Sequence, residues 1–378
     1  MRIGLDARYV YDHFPGIGRY TANLAAALGT LEHGHTLAVL YNPALPNTRH
    51  DLPALLGDQP AIQLVQTNVR PFSLAEQIAL PRLARALQLD LLHSPYYIKP
   101  YAGLPCPSVV TIYDLLGLHL PQTLSRQGRL FYRVAMGLAV RSSHRIITIS
   151  CNAQEALIRA YNIPPERITV TPLAADARFC PQTEAAVAAV HAKYGLPARY
   201  LLYVGANKPH KNLERLVQAW ACVTPQQPAV LLLAGHYDPR YPQVQQMAAA
   251  PGLRDRIMRI QNVAEADLPA LYAGATAFVF PSFYEGFGLP PLEAMACGVP
   301  VICAHAGSLP EVVGDAAVTF DPYAVDELAA AIQRVLDAPA LRVDLRERGL
   351  RRAQAFSWEQ TARQTLAVYE ALQHTRLM

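Results

Sequence analysis

The hydrophobic pattern of the chain alternates between short apolar runs and longer stretches with helical periodicity. Most of the short runs are continuously apolar, which is typical of strands that are buried on both faces of a parallel sheet. The predicted strands form two sets: 2–7, 36–42, 62–67, 89–95, 108–114, 145–150 and 167–173, then 199–205, 229–235, 256–262, 275–280, 299–304 and 316–321. This alternation predicts an α/β chain with two doubly wound, Rossmann-like domains facing across a cleft.

The stretches between the runs carry helix signals. Residues 19–31 repeat apolar side chains at helical spacing, and residues 212–222 do so behind Asn212, which is predicted to cap the helix N-terminus. The two strand sets are separated near residues 174–198. A last helix is predicted from about Trp358, and the pattern alone leaves its packing site open.

Composition narrows the class of protein. A length of 378 residues suits two domains, and 52% hydrophobic with 16% charged residues excludes a disordered chain. A net charge of +4 is too weak to indicate a nucleic-acid partner. The six cysteines form no C-x-x-C pair, so we expect small buried residues of a reducing compartment rather than zinc or redox motifs. Because no signal-like or membrane-spanning apolar run is present, we expect a cytoplasmic protein.

The segment 279–300, VFPSFYEGFGLPPLEAMACGVP, is the strongest candidate site. A strand ends near Phe280, and a glycine-bearing loop leads into a helix that starts near Leu289. Two prolines stand in the first turn of this helix, where a missing N–H costs nothing, and Gly298 ends it. Free backbone N–H groups and the positive end of the helix dipole therefore converge on one point. This arrangement suits a phosphate or diphosphate.

Two glutamates flank this loop. Glu285 precedes the helix, and Glu293 lies about one turn inside it. A carboxylate would repel a bound phosphate, so the better use of both is to accept hydrogen bonds from hydroxyls of a ribose or a sugar. The structural alternative is that Glu285 caps the helix and Glu293 is a solvated surface charge.

The segment EGFGLPPLEAMACGVPVI resembles the signature of the family-4 retaining glycosyltransferases of the GT-B fold. Residues 202–220, 268–282 and 307–317 are similar to other conserved stretches of that family's C-terminal domain. The N-terminal segments 4–8, 15–24, 109–115 and 145–150 resemble the subgroup with many polysaccharide and O-antigen mannosyltransferases. The resemblance covers nearly the whole chain. It implies an N-terminal acceptor domain over 1–175, on which helix 358–378 packs back, and a donor domain over 176–357.

The resemblance implies transfer of a hexosyl group from a nucleotide-diphosphate sugar to an acceptor hydroxyl, with retention at the anomeric carbon. Glu293 would accept hydrogen bonds from the ribose, and Lys211 would neutralise the diphosphate. The base would be read by backbone groups of 261–267. The catalytic residues implied are Glu285, Lys211 and Asp114. Donor binding is implied for Gly16, Gly18, Gly205, Lys208, Lys211, Asn262, Val263, Glu285, Gly286, Phe287, Gly288, Leu289 and Glu293.

The chain departs from the family pattern at two positions. Many relatives carry an arginine just after the glycine that corresponds to Gly205, where this chain has Ala206 and Asn207. Either Lys208 supplies the positive charge of the missing arginine, or Lys211 alone neutralises the diphosphate. Tyr113 stands where many relatives have a histidine, and it either contacts the sugar or only packs. 

Histidines and acidic pairs give weaker signals. His93 is a second candidate for a sugar contact, with a structural histidine as the alternative, and His210 in its polar loop is expected to be solvated. No D-x-D motif is present, and Glu265 with Asp267 comes nearest to one. We therefore expect no metal and no cofactor beyond the donor substrate. 

A basic stretch near 122–145 suggests a peripheral partner. It combines arginines with apolar residues and would suit contact with anionic lipid on the inner membrane surface if the acceptor were lipid-linked. The favoured alternative is an ordinary helix with its apolar face in the core. The expected partners are the nucleotide sugar and an acceptor that is a glycan, a glycolipid or a small molecule, with no nucleic acid.

Three functional hypotheses remain open at this point. The first is the retaining transferase, with GDP-mannose preferred as donor and UDP-hexoses next. The second is an enzyme of the same architecture, either a sugar phosphorylase or a nucleotide-sugar epimerase. The third is a catalytically silent nucleotide- or sugar-binding protein.

Overall fold

The computed structural model describes residues 1–376, which divide into two compact units. Unit 1 comprises Met1–Leu173 and the chain from Ser357 onward, and unit 2 comprises Ala174–Phe356. The first division lies two residues before the predicted boundary, and the second lies one residue before it.

Unit 1 contains a parallel sheet of seven strands in the order β3-β2-β1-β4-β5-β6-β7. The strands are β1 (Arg2–Asp6), β2 (Thr36–Tyr41), β3 (Ile62–Gln66), β4 (Leu91–Ser94), β5 (Ser108–Thr111), β6 (Arg145–Thr148) and β7 (Ile168–Val170). The helices are α1 (Pro15–Thr30), α2 (Leu52–Leu56), α3 (Glu76–Ala86), α4 (Leu116–His119), α5 (Arg126–Ser142) and α6 (Cys151–Tyr161). The central strands β1, β4 and β5 are buried almost throughout, which accounts for their continuous apolar sequence.

Unit 2 repeats the plan with six parallel strands in the order β10-β9-β8-β11-β12-β13. The strands are β8 (Tyr200–Val204), β9 (Val230–Ala234), β10 (Ile257–Ile260), β11 (Ala277–Phe280), β12 (Val301–Ala304) and β13 (Ala317–Phe320). The helices are α7 (Glu184–Tyr194), α8 (Leu213–Cys222), α9 (Gln243–Ala248), α10 (Leu268–Ala273), α11 (Leu289–Ala296), α12 (Leu309–Val313), α13 (Val325–Asp337) and α14 (Pro339–Gln354). In both sheets the strand order reverses beside the first strand of the unit, so the ligand-binding edge expected of each lies at the carboxyl ends there.

The predicted fold class is confirmed, and two local predictions about helix starts are wrong. Helix α1 begins at Pro15 rather than at residue 19, because proline is preorganised for the first helical turn. Asn212 precedes α8 but does not cap it: its backbone is left-handed and its side chain makes no capping bond. Of the six cysteines, Cys151, Cys180 and Cys222 are exposed rather than buried as expected.

The last helix, α15 (Trp358–Arg376), belongs to unit 1 and packs against α1. The predicted helix ran to residue 378, and its last two residues lie outside the described part. A buried chain of hydrogen bonds joins α15 to the sheet. The Tyr369 hydroxyl lies 2.7 Å from His93 Nδ1, and His93 Nε2 lies 2.8 Å from the Thr111 hydroxyl. That hydroxyl lies 3.0 Å from the Tyr20 hydroxyl on α1. The chain therefore ties α15, two central strands and α1 together.

His93→Leu should destabilise the protein, because it leaves the buried hydroxyls of Tyr369 and Thr111 each short of a partner. Thr111 keeps its contact with Tyr20, whereas the Tyr369 hydroxyl becomes unpaired at a cost of about 1–3 kcal/mol, so we expect the free energy of unfolding to fall by at least about 1 kcal/mol in urea titrations. His305→Leu is the matched control, since its side chain is exposed. An equal effect of the two substitutions would contradict the structural role of His93.

The same histidine predicts a pH dependence. Burial lowers the pKa of His93 from its ordinary 6.5 to about 3. Between these values the unfolded chain binds the proton and the folded chain does not, so stability falls as the pH drops below 6.5. The stability advantage of wild type over His93→Leu should shrink there by about 1.4 kcal/mol per pH unit. A constant difference between pH 7 and pH 4 would refute this assignment.

Candidate functional site

The candidate site of unit 2 lies where β8 and β11 end. Helix α11 begins at Leu289 behind Gly288, and its first turn holds two prolines, as the sequence predicts. The backbone of Gly288 has φ +124°, and a Cβ there would lie 2.8 Å from a methyl carbon of Leu309. A larger residue at Gly288 would therefore displace either this entry to the helix or its neighbour on α12.

An ion pair occupies the mouth of this loop. Lys211 Nζ lies 2.7 Å from Glu285 Oε1, and both side chains are more than four-fifths buried. Lys211 also lies over the ring of Phe280, 5.2 Å from its centroid. The structural alternative for Glu285, a helix cap, is wrong because α11 has no side-chain cap. Two of the three residues that the resemblance assigns to catalysis, Lys211 and Glu285, are thus in contact, although they are 74 positions apart in sequence.

Hydrogen bonds to backbone groups of the loop hold it in place from three sides. The Phe283 N–H donates to the His210 carbonyl at 2.8 Å, and Asn212 Nδ2 donates to the Pro281 carbonyl at 3.0 Å. The Ser308 hydroxyl lies 2.9 Å from the carbonyl oxygen of Glu285 and 2.7 Å from that of Phe287. The carboxylate at the mouth of the site is therefore carried by a loop with a fixed backbone.

His210 is buried rather than solvated, contrary to the expectation. Burial, reinforced by the neighbouring Lys211, lowers the pKa of His210 to about 4. At neutral pH the imidazole is uncharged, so Lys211 is the cation that this turn, Pro209–Lys211, supplies at the ion pair. Lys208, at the start of the turn, is exposed.

Glu293 is buried inside α11, so its interpretation as a solvated surface charge is wrong. Its carboxylate accepts a hydrogen bond of 3.1 Å from the Tyr272 hydroxyl. A carboxylate is rarely buried without partners, and this one is held in a defined orientation by a hydroxyl from α10. Around it, Gly286 and Phe287 are also buried, whereas Leu289 at the start of the helix is half-buried.

Unit 2 also contains a recess that the sequence did not predict. It lies beyond the ends of β8, β9 and β10, and its lining includes Tyr203, Asn207, His236, Tyr237, Arg259 and Gln261. Gly205 and Gly235 directly follow the first two of these strands, and a Cβ on Gly235 would lie 2.4 Å from the Gly205 carbonyl oxygen. The sequence feature that could have indicated this recess is the glycine at the end of each of the predicted strands 199–205 and 229–235. 

The segment 261–267, which was expected to read a base, adjoins this recess through Gln261. Asn262 is exposed with a left-handed backbone, and Val263 is half-buried. The acidic pair of this segment belongs to ion pairs: Glu265 lies 2.7 Å from Arg178, and Asp267 lies 2.6 Å from Lys193. Within residues 1–376, no group of three or more His, Cys, Asp or Glu side chains is arranged to hold a metal.

The remaining candidates belong to unit 1, and the structure corrects two of them. Gly16 and Gly18 lie in the first turn of α1 rather than in a loop. Gly16 is exposed, and the Gly18 N–H already donates to the Phe14 carbonyl. The donor-binding role that the resemblance implies for these two glycines stays a prediction, now placed at a helix N-terminus.

The sugar-contact candidates of unit 1 differ from one another. His93 is completely buried and both its ring nitrogens are hydrogen-bonded, which makes it the structural histidine of the alternative interpretation. Tyr113 packs edge-on against Tyr20, and its buried hydroxyl has no partner. Asp114 accepts a 2.8 Å hydrogen bond from the Leu116 N–H at the start of α4.

Comparison with known proteins identifies the two halves separately. The family model "Glycosyl transferases group 1" matches residues 190–352, and the model "Glycosyltransferase Family 4" matches residues 15–179. The chain is 36% identical to O-antigen chain mannosyltransferase B of Escherichia coli over 286 residues, which are 75% of this chain and 74% of that protein. It is 33% identical to MMP alpha-(1->4)-mannosyltransferase of Mycolicibacterium hassiacum, over 61% of this chain and 54% of that one.

Solved structures share the fold. Sucrose-phosphate synthase from Thermosynechococcus elongatus superposes with a TM-score of 0.79 at 24% identity, over 99% of this chain and all of that one. The Anabaena protein HepE, in complex with UDP and glucose, gives a TM-score of 0.77 at 21% identity, over 98% of this chain and all of that one. 

The Lys211–Glu285 pair predicts a gain of anion binding when the carboxylate is neutralised. In Glu285→Gln, Lys211 no longer shares its charge with a neighbour, so nucleoside diphosphates should bind about threefold to tenfold more tightly, equivalent to about 0.7–1.4 kcal/mol. Isothermal titration calorimetry measures this directly. 

Glu214→Gln is the control for net charge, because Glu214 is exposed on the first turn of α8 in the same unit. Equal or weaker binding by Glu285→Gln, compared with wild type and this control, would show that the pair does not compete with the anion.

Proposed function

The chain belongs to the group 1 and family 4 glycosyltransferases, and from this premise we propose that it transfers mannose from GDP-mannose to a hydroxyl of an acceptor glycan. The transfer proceeds with retention at the anomeric carbon and without a metal ion. The observation that supports this proposal most directly is the contact between Lys211 and Glu285 at the N-terminus of α11. A cation, Lys211, and a carboxylate that can accept hydrogen bonds from hydroxyls, Glu285, meet there with the N–H groups at the start of α11.

The proposed reaction breaks the bond between the sugar's C1 and the diphosphate oxygen. The acceptor oxygen bonds to C1 on the face from which the diphosphate leaves, and the acceptor proton passes to a departing phosphate oxygen. Lys211 and the N–H groups at the start of α11 stabilise the negative charge that develops on the diphosphate. Since these groups already supply positive charge, the proposal includes no divalent cation.

The two glutamates then have different tasks. Glu285 releases Lys211 to the diphosphate and accepts hydrogen bonds from hydroxyls of the donor sugar. Glu293, held by Tyr272, accepts hydrogen bonds from the ribose hydroxyls. Neither carboxylate needs to face the phosphates directly, which resolves the repulsion that acidic residues would otherwise bring to an anion site.

The recess beyond β8, β9 and β10 supports a guanine base. Arg259 lines it and lies over the ring of Tyr237, 4.8 Å from the ring centroid. A guanidinium donates two parallel hydrogen bonds, which match the adjacent O6 and N7 acceptors of guanine. Uracil offers no such pair of acceptors, so this residue favours GDP over UDP. The named relatives are mannosyltransferases, which agrees with a mannose donor.

A thermal-shift panel of GDP, UDP, ADP and dTDP, each with and without EDTA, tests the donor. A ligand at 100 times its dissociation constant adds about 2.7 kcal/mol to the folded state, which is visible as a higher melting temperature. We expect GDP to give the largest shift and EDTA to change nothing. Arg259→Met should lose most of the GDP shift and little of the UDP shift.

The other outcomes separate the alternatives. A dominant UDP shift would replace GDP-mannose by a UDP-hexose as donor. No shift by any nucleotide would overturn the transferase proposal in favour of a sugar phosphorylase or a sugar-binding protein. Nucleotide binding with conversion of the sugar but no transfer to any acceptor would indicate an epimerase.

We also propose that the enzyme works at the surface of a membrane, through α5. Leu130 and Phe131 on this helix are 66% and 56% exposed, and Val134 and Leu138 are exposed as well. The alternative that the sequence favoured, an ordinary helix with its apolar face in the core, therefore holds for only part of α5, because these four apolar side chains are exposed. Residues 115–154 contain five arginines and neither aspartate nor glutamate, so the face suits anionic lipid. None of the helices within residues 1–376 is long and apolar enough to span a bilayer.

Leu130→Ser with Phe131→Ser should weaken binding to vesicles of phosphatidylglycerol and phosphatidylethanolamine at least about tenfold, since burial of each large apolar side chain contributes about 1.5–3 kcal/mol. Co-sedimentation measures the binding. Val343→Ser, which removes an exposed valine from α14, is the control. Equal binding by the double variant and the control would remove α5 from this role.

A further inference from the structure

Unit 1 carries a cluster of aromatic rings that the donor site of unit 2 does not use. We name it the aromatic platform and define it as Tyr9, Phe14, Phe72 and Tyr96. Phe72 stacks on Phe14 with 5.5 Å between the ring centroids and 18° between the planes. Tyr96 lies 5.9 Å from Phe72 and 5.3 Å from Tyr9. The four rings form one packed cluster, in which Tyr9 is fully buried, Phe14 and Tyr96 are half-buried and Phe72 is the most exposed ring.

Phe72, the outer ring of the platform, is exposed to solvent and has an unfavourable backbone conformation. Phe72 is 45% exposed, and its backbone has φ +62°, a conformation that bulky residues rarely adopt. Glycine or asparagine would fit this backbone without the strain. A phenylalanine at this position destabilises the fold relative to glycine or asparagine, and about half of its surface lies in water. This combination indicates a role for the ring outside the core.

A buried guanidinium fixes the loop that carries Phe72. The carboxylate of Glu76, four residues after Phe72, lies 3.0 Å from the guanidinium of Arg8. Arg8 also pairs with Asp6 at 2.8 Å and donates to the Val69 carbonyl at 3.4 Å. Arg8 thus holds the chain on both sides of Phe72. A ring supported in this way keeps one orientation, as a binding surface requires.

The platform lies at the ligand-binding edge of the sheet. Tyr9 follows the carboxyl end of β1, and Tyr96 follows that of β4, the two strands beside which the strand order reverses. The exposed imidazole of His13 borders the platform, 4.6 Å from the ring of Phe14. Flat rings with a polar group at the rim match a pyranose, whose C–H groups form an apolar face and whose hydroxyls point outward.

We propose that the aromatic platform binds a pyranose ring of the acceptor glycan, with Phe72 as its outer stacking residue. This inference rests on the proposed function, because a glycosyltransferase needs a second sugar site beside the donor site. Apolar contact with lipid is the competing use of an exposed ring, and the test separates the two.

The test compares Phe72→Ala, Phe72→Leu and Phe72→Tyr with the wild-type protein. The probe is an α-linked mannotriose, and its binding is measured by saturation-transfer difference NMR without any donor. We expect Phe72→Ala and Phe72→Leu to lose at least 80% of the saturation transfer and Phe72→Tyr to keep it. Tyr323→Ala, which removes an exposed ring from unit 2, is the matched control and should behave like wild type.

A kinetic arm separates the platform from the donor site. Phe72→Ala should raise the KM for the mannotriose acceptor at least fivefold while leaving the KM for GDP-mannose unchanged. Absence of nucleotide release by the wild-type protein would count against the proposed function, while mannotriose binding would still test the platform.

Three results would overturn the inference. The first is equal saturation transfer in wild type and Phe72→Ala, and the second is none in wild type. The third is retained mannotriose binding by Phe72→Leu together with loss of binding to anionic vesicles by Phe72→Ala, which would assign the ring to lipid.

Discussion

The pairing of Lys211 with Glu285 is the interaction on which the chemistry proposed for unit 2 depends. It brings a cation and a carboxylate together at the point where a helix N-terminus supplies free N–H groups. The pair is stable without a ligand because each charge satisfies the other in a largely buried setting. In the proposed reaction, an entering diphosphate takes over Lys211, and the released carboxylate accepts hydrogen bonds from hydroxyls of the donor sugar. In this proposal, one contact couples the binding of phosphate to the recognition of sugar.

The fold supplies this contact through the ends of parallel strands. The turn that carries Lys211 follows β8, and the loop that carries Glu285 follows β11, the neighbouring strand. Hydrogen bonds from Phe283, Asn212 and Ser308 then fix the loop against that turn and against α12. Unit 1 uses the same sheet edge differently. There a buried guanidinium holds aromatic rings in place, and a buried histidine ties the C-terminal helix to the sheet.

Much of this could be read from the sequence, and the limits have physical reasons. The start of α11 was predictable because proline in a first helical turn and glycine before it restrict the backbone locally. The Lys211–Glu285 contact was not, since no local rule brings together residues 74 positions apart. The burial of His210 and Glu293 also depends on neighbours from other elements. The α1 start was misplaced because apolar spacing begins later than the turn that Pro15 initiates. Arg259 lies in β10 and Tyr237 follows β9, so their common recess becomes apparent only from the order of the strands in the sheet.

A crystal structure of the protein with GDP tests the central claim most directly, by measuring the distances from Lys211 Nζ to Glu285 and to the diphosphate. The account predicts that Lys211 Nζ leaves Glu285 and lies within hydrogen-bond distance of a phosphate oxygen, with the diphosphate at the N-terminus of α11 and guanine beside Arg259. An intact pair, with GDP bound elsewhere on the protein, would contradict it.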